Sequence, residues 1–381
     1  MKSNHLLFSL ILLSCCSLSG KPQKLSFNGQ LSAFHLSKIE SPWQMANSLR
    51  YIPELKFTTP ISKGWKFDAE ASANADARLN YIYGDTVTGS FKLKPYRIWG
   101  RFSSERFELR AGLQKINFGS ATMLRPLMWF DHMDPRDPLQ LTDGVYGILG
   151  RYFFQNNANI WLWGILPGKT AKGWEMLVSD RNMPEFGGRL QLPAGKGEIA
   201  LSGHFRKIGI DQTSSVLPIT IESPVPEYRI GIDGKWDIGP GIWFEGTYTY
   251  SSLPIKDLTH LRMLTAGVDY TFELGNGLTA MGEQFFYLSG PEMFKSAKTL
   301  TFTASSITYP LNLTHSVSAM IFYNWTQQDW YRFINWRMSF SNISLYLMAF
   351  WNPDQFDLYQ NTGNSNLMGG KGIQLMFVWN H

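Results

Sequence analysis

The residues best suited to act on a solute fall into two groups. The first is a run of bases, Lys92, Lys94, Arg97, Arg101 and Arg110, with Arg50 before it and Arg151 after it. The second is confined to one segment: Arg125, Asp131, Asp134, Arg136 and Asp137, followed by Asp143. Bases facing acids across a narrow aqueous passage create a transverse field, which orients dipolar solutes and sorts ions by charge. Asp131, Asp134 and Asp137 recur every third residue, so calcium, which takes clustered carboxylates, has to be weighed. The spacing is not that of an EF-hand loop, and the two later acids flank prolines. Asp131-His132 is the one adjacent Asp-His pair, a slender basis for hydrolysis. No nucleophile elbow, phosphate loop or zinc spacing occurs. The expectation is therefore no catalytic residue, no metal and no cofactor.

Such charges need a scaffold that holds them in rows, and the pattern of the chain supplies one. From Phe67 to Tyr83 every second residue is apolar: Phe67, Ala69, Ala71, Ala73, Ala75, Ala77, Leu79, Tyr81 and Tyr83. The intervening set, Asp68, Glu70, Ser72, Asn74, Asp76, Arg78 and Asn80, is polar. A period of two specifies a strand with unlike faces. A membrane-spanning strand needs about 9–11 residues with its apolar side toward lipid. The same alternation recurs around Ile199–Arg206, Tyr228–Trp236, Ile242–Tyr250 and Val268–Leu274. It slips once near Pro95, where a bulge would accommodate the proline.

About eighteen strands can be placed, starting near residues 24, 47, 65, 89, 105, 144, 158, 185, 197, 227, 241, 262, 277, 298, 313, 329, 342 and 371, with sixteen as the alternative. Short links such as Ser62-Lys63-Gly64 and Gly275-Asn276 alternate with longer ones at about 40–46, 119–143, 167–184, 211–226, 252–261, 289–297 and 352–370. That sorting is the mark of an up-and-down transmembrane β-barrel with short periplasmic turns and long extracellular loops. Trp65, Trp161, Trp236 and Trp379 fit an aromatic girdle on the short-turn side, and Trp330 and Trp351 one on the long-loop side. Composition agrees. Apolar residues reach 44%, aromatics 15% and charged residues only 17%, yet mean hydropathy is −0.17. Half the residues of each strand can thus face lipid while the rest face water. A net charge of +5 is too weak to imply nucleic acid.

Lys2, the apolar stretch Leu6 to Leu13 and the small residues Ser17 to Gly20 describe a signal peptide over 1–20, with 21–381 as one barrel domain. Cys15 and Cys16 also allow a lipoprotein cleavage box; cleavage after Gly20 leaves a mature chain without cysteine.

The chain resembles bacterial outer-membrane β-barrel porins over its mature length. Gly372, Leu375, Phe377 and Trp379 stand where that family carries its C-terminal barrel-assembly signal, although Asn380 and His381 follow where the family usually stops at an aromatic. Gly112-Leu113-Gln114-Lys115-Ile116-Asn117-Phe118-Gly119, with Arg125-Pro126, is similar to a motif of alginate-export-type barrels, which usually has Arg where Leu113 stands. The resemblance implies an outer-membrane channel of a Gram-negative bacterium, embedded in outer-membrane lipid. The implied folding partners are the barrel-assembly machinery and periplasmic chaperones. Small polar or anionic solutes would diffuse through it. A homo-oligomer is left open. The alternative is a barrel acting through its outer loops as adhesin, receptor or assembly partner.

A barrel of this size leaves an aqueous lumen. The bases Arg50, Lys92, Lys94, Arg97, Arg101, Arg110 and Arg151 would line it. The link 119–143 is long and carries Leu124, Leu127, Met128, Trp129 and Phe130, which are ill placed in water. It is expected to fold inward as a constriction loop and to set its acids against the basic ladder.

Overall fold

The computed structural model describes residues 23–209, 223–354 and 368–381. The expected signal peptide lies outside these residues, as does most of the links 211–226 and 352–370. Eighteen strands occur among the described residues. They are β1 (Lys24–Lys38), β2 (Gln44–Ser62), β3 (Trp65–Ile82), β4 (Val87–Ser103), β5 (Phe107–Gln114) and β6 (Val145–Phe153). Next come β7 (Asn159–Ile165), β8 (Glu185–Ala194), β9 (Gly197–Ile208), β10 (Val225–Asp237), β11 (Gly241–Ser251) and β12 (His260–Phe272). The last are β13 (Leu278–Gly290), β14 (Lys298–Pro310), β15 (His315–Asn324), β16 (Asp329–Ser339), β17 (Ile343–Trp351) and β18 (Lys371–Asn380). Every strand starts within three residues of its expected position. Each pairs antiparallel with its sequence neighbours, and β1 pairs with β18, so the sheet closes and has no free edge. Closure satisfies the backbone where no water could.

Alternation decides which side chains face out. On β3 the even residues Asp68, Ser72, Asn74 and Asp76 are buried in the lumen. On β9 Leu201 is 54% exposed on the outside, while Ser202, His204 and Arg206 are buried inside. The register shift opposite Pro95 is present: Ser72 pairs with Arg97 and Ala73 with Pro95, leaving Tyr96 as the bulged residue.

The wall is uneven in height. β2, β3 and β4 run for 19, 18 and 17 residues, whereas β5, β6 and β7 run for only 8, 9 and 7. β4 pairs with β5 only over Ile98–Ser103. The chain therefore leaves β5 well below the rim reached by β4, which allows the following segment to turn into the lumen.

Gly372, Leu375, Phe377 and Trp379 lie on β18, at the closing seam. A Cβ on Gly372 would meet the Phe350 ring at 2.5 Å, so that position has room for glycine alone. Asn380 and His381 do not break the alternation. His381 exchanges backbone hydrogen bonds with Gly29, both at 3.0 Å. Its ring stacks on Tyr51 and lies 4.8 Å from the Trp379 ring. The terminal imidazole thus occupies the next outward step after Trp379.

The tryptophan expectation needs one correction. Trp65 stacks on Phe102 and Trp236 on Phe244 on the outer surface, and Trp379 and Trp330 are outward and exposed. Trp161 instead faces the lumen, with the Arg151 guanidinium 3.7 Å above its ring. It pairs across the sheet with Arg151 and Arg189, both inward.

Candidate functional site: a lumen narrowed by two loops

The segment 115–144 enters the barrel and crosses to the far wall. Glu283 on β13 accepts the backbone N–H groups of Thr122 (2.7 Å), Met123 (3.0 Å) and Leu124 (2.6 Å), and the Trp243 indole N–H at 3.0 Å. Glu245 on β11 accepts those of Ala121 (2.9 Å) and Leu127. Thr265 on β12 donates to the Leu124 carbonyl. Ser120 donates to Asp233 on β10, which also receives Arg189. Two wall carboxylates, Glu245 and Glu283, thus satisfy loop backbone N–H groups that would otherwise be buried without partners, and Asp233 adds a side-chain contact to Ser120. Gly119 has φ +106°, and a Cβ there would stand 2.4 Å from the Glu245 carboxylate, so the approach requires glycine.

Apolar contacts finish the docking. Leu124, Leu127, Met128, Trp129 and Phe130 are at most 4% exposed. Met123, Leu124 and Met128 pack with Met263, Phe285, Phe302, Phe322, Phe333, Met348 and Phe350 on β12 to β17. Leu127, Trp129 and Phe130 pack with Leu149, Trp163 and Ile165 on β6 and β7. Here both faces of the strands are apolar, because the inner one is covered by the loop rather than by water.

A second loop, 166–184, also turns inward, which the sequence reading placed only as a long outer link. Trp174 donates from its indole to the Arg125 carbonyl at 2.8 Å and stacks on Phe285. His132 meets the Ala171 carbonyl at 3.1 Å. Glu175, fully buried, pairs with Arg206 (3.2 Å) and Arg229 (3.0 Å), and both arginines pair with Glu227. Lys172 pairs with Glu185, which also meets His204 at 3.2 Å. Half-satisfied charges at this depth would be costly, so the closed set of partners ties the loop to β8, β9 and β10.

Among the described residues a cleft of about 370 Å³ lies open between loop residues 132–143 and the tall wall of β1 to β4, with β18 beside it. Arg50, Arg78, Lys92 and Lys94 line its wall side, and Asp134, Asp137 and Asp143 its loop side. Lys94 reaches Asp143 at 2.6 Å, and both side chains are about half exposed or more. Asp76 sits among the bases, holding Arg50 (3.2 Å) and Arg78 (2.5 Å). Asp137 caps its own turn through the N–H groups of Leu139 and Leu141. Burial raises its pKa above the usual carboxylate value, partly offset by the Leu139 N–H.

The expected ladder divides into parts. Arg50, Lys92 and Lys94 line the cleft. Arg97 is buried and spends its donors on the carbonyls of Tyr96 (2.6 Å) and Thr142 (2.8 Å), so it anchors the loop. Arg101, Arg110 and Arg151 form a lower group around Glu108, at 3.6, 2.9 and 3.8 Å, with Arg101 also on Asp68 at 2.8 Å. Arg110 lies over Trp99 at 4.8 Å. Burial lowers the Lys115 pKa where the loop leaves β5.

Two loop residues depart from the expectation that they face the bases. Asp131 is 1% exposed and held by Arg125 at 3.0 Å, inside the loop. Arg136, also 1% exposed, is turned onto Asp134 at 2.6 Å. The three spaced aspartates therefore point to three different partners and do not converge on a cation. No group of three potential metal ligands occurs among the described residues. Asp131 and His132 are likewise engaged apart from one another.

Glu245, Glu283, Asp233 and the loop 166–184 were missed from the sequence. The available signals were the apolar residues Trp174, Met176 and Leu177 in a nominal outer loop, and the inward set Phe285, Phe302, Phe322, Phe333 and Phe350 where a water-filled lumen would have polar residues.

No protein-family model and no curated sequence matches the chain. Solved structures do. OccAB4 of Acinetobacter baumannii is similar over 95% of this chain and 99% of that one, with TM-score 0.55 and 8% identity. OccK5 (OpdH) of Pseudomonas aeruginosa is similar over 94% and 97%, with TM-score 0.54 and 12% identity. Salmonella typhi OmpF, in complex with daunomycin, is similar over 95% and 100%, with TM-score 0.50 and 11% identity. At such identities the likeness is one of fold: a closed barrel of the outer-membrane porin kind.

Proposed function

We propose that this chain is an outer-membrane channel for passive diffusion of small polar solutes, with a mild leaning to anions. The observation that supports this most is the cleft itself. Two loops turn into the lumen, and beside them lies a cleft with bases mainly on the wall and acids mainly on the loop. Charge separated in this way acts on every solute that passes and demands no bound cofactor. The leaning to anions is mild because Asp76, Asp134, Asp137 and Asp143 share the cleft with the bases. The lower cluster of Arg101, Arg110 and Arg151 adds positive charge below it. The solved barrels of similar fold are porins, which supports the outer membrane as the location. Export by the signal peptide over 1–20 and insertion through the assembly signal on β18 belong to the same reading.

Planar-bilayer recording of the folded protein tests it. Discrete open-channel currents with anions favoured are expected, and a folded barrel without any open channel would overturn the proposal. Lys92→Glu with Lys94→Glu should move selectivity toward cations. These two are better probes than Arg97, whose loss would also release the loop.

A further inference from the structure

The outer surface of the strands is apolar nearly throughout, yet four cations lie on it, all at the long-loop end. Arg262 is the third residue of β12, Arg332 the fourth of β16, Lys371 the first of β18 and Lys207 the last but one of β9. Their outward direction follows from their neighbours at steps of two: Leu264, Ile334, Ile373 and Leu201 are all exposed. Every strand carboxylate among the described residues sits at the opposite, lumen-facing phase. A cation on the lipid face is costly at mid-bilayer and nearly free at the interface, so these four mark the headgroup level.

Two of them belong to one built row. Arg332 pairs with Trp351, and Trp351 pairs with Lys371, so the three stand side by side across β16, β17 and β18. The Arg332 guanidinium lies 5.7 Å from the Trp330 ring and 6.0 Å from the Trp351 ring. The tryptophans orient the guanidinium fork without neutralising it. Among the described residues Lys371 has a loose pair with Glu40, at 3.5 Å between well-exposed groups, which a stronger anion would displace. An arginine fork and an ammonium group flanking an aromatic shelf suit a phosphate whose carrier also has an apolar part.

We propose that Arg332, Trp351 and Lys371, with Trp330, form a lipid-facing site for the phosphate of an anionic glycolipid of the outer leaflet. The long-loop end faces that leaflet under the function proposed above, and the site rests on that placement. The phosphate group could equally belong to a free ion. The lipid is favoured because the shelf faces the bilayer, flanked by exposed Ile334 and Leu347.

The test uses the purified barrel in zwitterionic micelles, titrated with a bis-phosphorylated glycolipid, with its dephosphorylated form, and with inorganic phosphate. Tm is read from the heat-dependent gel shift, and retained lipid by native mass spectrometry. The phosphorylated lipid should raise Tm and stay bound, and the other two should do neither. Arg332→Gln with Lys371→Gln should weaken binding about thirtyfold, at about 1 kcal/mol per basic residue near a charged surface. Its single-channel conductance should be unchanged, since neither residue lines the lumen. If that variant does not fold, Lys371→Gln alone, at an exposed position, should weaken binding about fivefold. Equal binding by wild type and variant would overturn the proposal. So would equal binding of the dephosphorylated lipid, or a matching effect of inorganic phosphate. A barrel that binds the lipid but conducts nothing would sink the channel reading and leave the site standing.

Discussion

The tall wall of β1 to β4 and the far wall of β11 to β17 begin from the same alternation and end with different interiors. On the near wall the inward set is polar and faces open space: Arg50, Arg78, Lys92 and Lys94. On the far wall the inward set is Phe285, Phe302, Phe322, Phe333 and Phe350, with Glu245 and Glu283 among the buried strand carboxylates. Both are lumen faces of one barrel. What differs is the partner. Water covers the first, and a docked loop covers the second. An inward residue in a wide barrel is thus chosen by what touches it, and the far wall is in effect the core of a soluble domain lodged inside a membrane protein.

The sharpest way to break this contrast is to cut a side chain from the far wall. Phe302→Ala should cost about 3–5 kcal/mol of loop docking, as a buried ring deletion does. Single-channel recording should show a larger and noisier conductance while the barrel gel shift persists. An unchanged conductance would mean that the loop does not depend on the apolar wall.

A smaller effect follows from Glu283→Gln. The amide keeps one acceptor oxygen but offers a nitrogen where an N–H group was bound, at a cost of about 1–3 kcal/mol. Loop residues 121–127 should then exchange their amide hydrogens faster than in the wild type. Protection equal to wild type would show that the carboxylate is dispensable.

On the near wall the expected change is in selectivity rather than stability. Lys92→Glu with Lys94→Glu should alter the reversal potential toward cations while shifting stability by less than about 1 kcal/mol, as befits half-exposed charges. A large loss of stability there would erase the distinction between the walls.

The smallest effect concerns pH. Burial raises the Asp137 pKa above its unfolded value of 3.8. Its contribution to stability is therefore full below that value and lost as pH rises through the higher folded value. At neutral pH the charged form works against the fold, so Asp137→Asn should raise Tm slightly at pH 7. It should also flatten the pH dependence just above 3.8. A lower Tm for the variant would mean that the two backbone hydrogen bonds outweigh burial.

Strand positions and the facing of most strand side chains were legible in the sequence because they depend only on a period of two and on the lengths of the links; Trp161, expected in the outer girdle, was the exception. Phe67 to Tyr83 declares its two faces without reference to any other strand. The inward path of 119–143 was legible as well, since Leu124, Trp129 and Phe130 have no stable place in water. The destination of that loop was not. Nothing local tells Glu283 that it will accept three N–H groups from residues about 160 positions earlier, or Asp131 that it will serve Arg125 rather than the passage. Nor does local pattern separate Arg97, which anchors the loop, from Lys94, which lines the cleft. Those assignments come from the uneven height of the wall, which lets one loop enter below the rim of β4 and meet the opposite side. Alternation is set within each strand by backbone geometry, whereas pairing across a lumen depends on the closure of the whole sheet.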